Sequence, residues 1–183
     1  MALAVEVPFS SGERIMAETN ELMKRPLASD ELVKTRTWEI LEPKVKSYLG
    51  ADWIESEAPH IQKQIMRVLS PSKDGYGMAR ELERDGWEED RGLVDLMDAG
   101  ESDLRDAHKE LVKQWIAVYG IAPSRSVGDV VSTAHWRHKG QIGTITNIRE
   151  DEATYAVHFP DQSATSAQIL LYEEVVDVPE AHS

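Results

Sequence analysis

The spacing of the apolar residues changes once along this chain, near residue 121, and that change limits the folds open to it. Between about residue 13 and residue 120 apolar side chains recur every three or four positions, the spacing that gathers them on one face of an α-helix. After residue 126 they fall into short runs rich in β-branched residues and separated by turn residues, as in strands. The expected class is α+β: an all-helical N-terminal domain followed by a small five-stranded β-barrel.

The helical half divides at its Gly, Pro and capping residues. ERIMAETNELMK, from Glu13, places Ile15, Thr19, Leu22 and Met23 on one side and stops before Pro26. Ser29 and Asp30 are good N-caps for a second helix whose expected core stripe is Leu32, Val33, Ile40, Leu41, Val45 and Leu49, kinked or divided at Pro43. A third, reaching Leu69, turns Ile61, Ile65, Met66 and Leu69 inward. A short helix with Tyr76, Ala79 and Leu82 is expected to end at Gly86, and another with Leu93, Val94 and Met97 near Gly100. The strongest helix signal runs from Ser102 to Tyr119, with Leu104, Ala107 or His108, Leu111, Val112, Trp115 and Val118 as one stripe closed by Gly120. The five Trp residues, and Tyr76, lie on or beside such stripes or in the loop described below; Tyr76 and Trp87 are expected to pack between helices.

Five β-rich runs follow: Val130 and Val131; Ile142 to Ile148; Tyr155, Val157 and Phe159; Ile169 and Leu170; Val175, Val176 and Val178. Strands this short most often close on themselves, because an open sheet of that size exposes its edges. The expected boundaries are an extended N-terminal arm over 1–12, where Leu3, Val5, Val7 and Phe9 alternate, a helical domain over 13–120, a linker over 121–126, the barrel over 127–179 and a tail over 180–183.

Composition removes several kinds of chemistry. Cysteine is absent, which excludes disulfides, thiolate zinc sites, iron-sulfur clusters and a cysteine nucleophile. No apolar run approaches eighteen residues and no basic leader precedes the short apolar start, so no membrane or targeting segment is expected and the cytoplasm is the default compartment. The formal charge is −13, and from residue 127 onward only Arg137, Lys139 and Arg149 stand against nine acidic residues. Nucleic acid is therefore a disfavoured partner, since binding it requires phosphate charge to be neutralised. There is no phosphate-binding glycine loop, nucleophile elbow or metalloprotease helix, and no signature of a cofactor. The acidic runs Glu88–Asp90 and Glu150–Glu152 read as a helix start and a solvated turn. His135, His138 and His158 are too few and too separated to be read as a metal site.

SVGDVVSTAHWRHKGQIGTITNI, residues 126–148, resembles the KOW motif of SH3-like barrels: Gly128 and Asp129 open the first strand, and Lys139, Gly140 and Gly143 form the Lys-Gly-x-x-Gly turn into the second. On that pattern Gly140 and Gly143 suit a tight or bulged reversal, while Val130, Ile142 and Ile145 suit a barrel interior. The wider layout of helices, a Gly-Ile-x-Pro linker at 120–123, the RHKGQIG turn and Leu171-Tyr172-Glu173-Glu174 resembles the nitrile hydratase beta subunit. That resemblance implies a partner subunit holding a metal centre; the KOW resemblance implies contact with RNA, a ribosome or a polymerase. The residues themselves favour a non-catalytic subunit that binds another protein. His135, Trp136, Arg137, His138 and Lys139 occupy the connection between the first two strands, where an amphipathic ring and a planar cation suit a binding surface, with Tyr155 and Tyr172 as neighbouring contacts. The competing reading is that Trp136 covers the barrel mouth or packs on the helical domain while its neighbours are solvated.

Overall fold

The computed structural model describes residues 24–137, 139–163 and 166–178. The expected arm over 1–12, the first expected helix as far as residue 23, His138 and the tail over 180–183 lie outside them.

Four helices come first: α1 (Glu31–Leu49), α2 (Ala58–Val68), α3 (Gly75–Glu83) and α4 (Arg91–Tyr119). Asp74 and Asp90 accept hydrogen bonds from the backbone N–H groups of Gly77 and Leu93, satisfying donors that the first turns of α3 and α4 leave unpaired. Left-handed Gly120 closes α4. α1 and α3 pack along α4, and α2 bridges them. Trp38, Leu41, Val45, Ile65, Met78, Leu82, Leu93 and Met97 form their shared core.

Four expectations for this half are corrected. α1 is not divided at Pro43, because the amide that Pro43 lacks would have bonded the carbonyl of Glu39 on the exposed side of the helix. Leu32 and Ile40 lie on that outer side too and are exposed, as is Val118 near the end of α4. The helix expected to stop near Gly100 continues into the next as one element of 29 residues. Gly100 serves packing instead: a Cβ there would stand 3.1 Å from side-chain carbons of both Leu41 and Leu69, so its absence lets α1 and the end of α2 approach α4. Trp87 packs against the helical core and donates from its indole to Gln64, but Tyr76 is exposed, with Arg80 over its ring.

The five β-rich runs form one antiparallel sheet: β1 (Val130–Thr133), β2 (Ile142–Arg149), β3 (Thr154–His158), β4 (Gln168–Leu171) and β5 (Val175–Val176), in the order β4-β3-β2-β1-β5. A single 3₁₀ turn, Tyr172–Glu174, carries the chain from β4 to β5. The register of β2 with β3 shifts between Ile145 and Asn147. Val131, Ile145, Tyr155, Val157, Phe159 and Leu170 make a second core, separate from that of the helices. Ile145 is inside as expected, but Val130 and Ile142 point outward and are exposed. Val130 opposes Thr144, which is exposed on the same face, whereas Ile142, at the start of β2, lies opposite the buried Ser132.

Helices and sheet meet at Arg25. Its guanidinium lies 5.2 Å from the Trp115 ring of α4 and donates to Glu173 and to the carbonyls of Glu152 and Ala153. Lys109 of α4 pairs with Glu152 at 3.4 Å. The linker is fastened as well, since the Arg125 N–H donates to the Tyr155 hydroxyl at 3.1 Å.

Candidate functional site

β1 gives way to the loop 134–141 at Thr133, and backbone bonds hold both ends of that loop. The Thr133 N–H donates to Gln141 O at 3.1 Å, and the Gly140 N–H returns to Thr133 O at 2.8 Å. Gly140 has φ 80°, a conformation that costs a residue with a Cβ, so the glycine is needed to turn the chain into β2. Gly143 has another use: a Cβ there would lie 2.6 Å from Val157 and 2.8 Å from the His158 carbonyl. Its bare Cα lets β3 come close, and the register shift of β2 falls further along, after Ile145.

The outgoing arm of the loop is tied to the 3₁₀ turn. The Ala134 N–H donates to Glu174 O at 2.7 Å, and the His135 N–H to the Thr133 hydroxyl at 2.9 Å. His135 Nδ1 accepts from the Arg137 N–H at 3.3 Å, which leaves Nε2 facing the Glu174 carboxylate at 3.9 Å. Glu174 also accepts from the Leu171 N–H. Sequence reading overlooked Glu174 as the loop's anchor, because its link to Ala134 and His135 arises only when β5 pairs with β1.

On this support Trp136 is 75% exposed, and the Arg137 guanidinium lies 4.7 Å from its ring centroid. The His135 ring centroid lies 5.9 Å from that of Trp136, with the planes tilted by 34°. Lys139 is exposed beside the glycine turn. Among the described residues Arg137 and Lys139 have no carboxylate within ion-pair distance, whereas Arg149 is paired with Glu152. The loop thus presents an indole and two cations on an otherwise acidic chain.

Of the other expected contact residues, Tyr155 is corrected: it is 0% exposed. β3 is covered on both faces from Thr154 to Val157, so its tyrosine belongs to the sheet core and only the hydroxyl is used, by the linker. Tyr172 is half-buried with its ring 4.4 Å from that of Tyr155. Burial pushes its phenol above the ordinary value, Tyr155 and Glu150 add to that, and Arg25 opposes it. His158 Nδ1 lies 2.9 Å from Ser166 O, and among the described residues no three His, Asp or Glu side chains converge as metal ligands would. A concavity of about 530 Å³ lies between α2 and the start of α4; Tyr48 and Trp87 line it together with Asp52, Glu57, Glu88 and Asp90.

Among the described residues no helix is long and apolar enough to cross a membrane. Compared with known proteins, the chain is matched by no family model, no curated protein and no solved structure.

Proposed function

We propose that this chain is a non-catalytic binding or accessory subunit that holds another protein through the loop 135–139, presented on an SH3-like barrel. The observation that carries the reading is the exposure of Trp136 beneath Arg137 on a loop whose two ends are fastened by backbone hydrogen bonds. An exposed indole has a cost in water that a partner's surface removes, and a loop already ordered has less entropy to lose on binding. Its cations give the contact a sign: the partner surface is apolar at its centre and acidic around it. Support for the barrel comes from the order β4-β3-β2-β1-β5, in which a four-strand meander is followed by a fifth strand that returns to the first through one 3₁₀ turn.

A second reading, an accessory chain like the nitrile hydratase beta subunit, draws support from the order of helices and antiparallel sheet within one chain. Attachment to RNA through the KOW-like turn is weaker, because Arg149 is committed to Glu152 and leaves two cations beyond residue 127 for phosphate.

The test is a pull-down from native lysate with the intact chain and with Trp136→Ala/Arg137→Ala, followed by mass spectrometry and metal analysis. A stoichiometric protein retained by the first and lost by the second, with unchanged circular dichroism, supports the loop as the contact. Equal retention by both overturns it. A metal-bearing partner selects the hydratase-like reading, and ribosomal or polymerase subunits released by moderate salt select the KOW one.

A further inference from the structure

A cavity of about 270 Å³ lies where α4 meets the sheet. Val112 of α4 and Leu171 of β4 give it apolar walls, and Arg25, His108, Lys109 and Thr154 bring polar groups to it. Thr154 is 5% exposed, and its hydroxyl has no hydrogen-bond partner. A buried hydroxyl without a partner is costly, and valine would fill the same space in a strand without that cost. A polar atom from outside the chain would satisfy that hydroxyl.

The charges around the cavity indicate which atom. Arg25 has a side chain only 9% exposed and directs its donors to Glu173 and to the carbonyls of Glu152 and Ala153. Glu152, also on the lining, is shared between Lys109 at 3.4 Å and Arg149 at 3.3 Å. On the lining itself Arg25 and Lys109 stand against Glu152, one positive charge in excess on a chain whose total is −13. His108 has one ring nitrogen 3.0 Å from Pro26 O, which accepts its N–H. The volume lies just below the usual range for small-molecule pockets, about 300–1,000 Å³, and seams between packed units are where such pockets tend to form.

We propose that this cavity binds a small organic monocarboxylate with a compact apolar body. The carboxylate accepts hydrogen bonds from the Thr154 hydroxyl and the Lys109 ammonium, and the hydrocarbon part lies between Val112 and Leu171. The site is independent of the loop at Trp136, so a ligand here would act on the joint between helices and sheet.

Titration calorimetry of the full chain with benzoate tests this, with benzyl alcohol as the neutral probe of similar size. Saturable one-to-one binding of benzoate with a Kd of about 1 mM or tighter is expected, with benzyl alcohol at least about tenfold weaker. Thr154→Val, which preserves side-chain shape, should weaken benzoate by about tenfold. Val112→Trp, which fills the cavity, should abolish binding. No saturable binding by about 10 mM, equal affinity for the alcohol, or undiminished affinity in Thr154→Val overturns the assignment. Should Val112→Trp fail to fold, the Thr154→Val result decides.

Discussion

Gly143 shows how much a single missing Cβ can carry in this sheet. Alanine there would meet Val157, the His158 carbonyl and Phe159, all within 2.9 Å, and a backbone carbonyl cannot rotate away. Gly143→Ala should lower the unfolding free energy by about 2–3 kcal/mol, measured by urea denaturation. An unchanged midpoint would mean that β2 and β3 separate without cost. Two tyrosines make stability depend on pH at the alkaline end. Burial raises the phenol of Tyr48, assisted by Asp90, which accepts its hydrogen bond, and by Glu88; burial raises Tyr172 too. A raised value means that the folded chain keeps these protons when the unfolded chain has lost them. Their contribution is therefore complete below the ordinary tyrosine value of 10.0 and declines as the pH climbs beyond it. Denaturation midpoints should fall more steeply above that pH in the native chain than in Tyr48→Phe/Tyr172→Phe, and parallel curves would contradict the assignment. The sequence marks Gly143 and Tyr172 as notable residues, but not what each of them touches.

Among the elements, α1 and α4 depart most from their sequence expectations, for related reasons. Proline and glycine are local stop signals, yet Pro43 and Gly100 sit inside continuous helices because of how those helices pack. Pro43 remains a local defect on an exposed face. Pro43→Ala restores the bond to Glu39 O, so it should raise stability by about 1–2 kcal/mol, after the entropy that proline removes from the unfolded chain is allowed for. Thermal unfolding checks this; a fall in Tm would show that the helix axis depends on the ring. Gly100 permits close contact with Leu41 and Leu69, which local propensity does not register. The strands were easier to read, since their β-branched runs and turns are local signals that the ladder follows. The outward direction of Val130 and Ile142 was not legible, because register decides which face of a strand is buried and pairing partners decide register.

On the scale of the whole molecule, two hydrophobic cores are held together by a polar joint centred on Arg25. Arg25→Ala removes a donor from Glu173 and from the carbonyls of Glu152 and Ala153, the last keeping only the Tyr172 N–H, and uncovers one face of Trp115, so it should destabilise the chain by about 2–4 kcal/mol. Loosening should be greatest between helices and sheet, and limited proteolysis should cut faster within residues 121–126 of the variant. Cleavage at the native rate would show that the linker and α4 hold the two parts without Arg25. The order of helices and strands, the lack of cysteine chemistry and the excess of acid were determined by the sequence alone, because they depend on local spacing and composition. The Trp136 loop could be picked out there too, since an indole between cations is a local pattern. Its anchoring by Glu174, the burial of Tyr155 and the cavity beside Thr154 were decided only by tertiary structure. Each depends on groups distant in sequence that meet when the sheet pairs and α4 docks, and no local pattern carries that information.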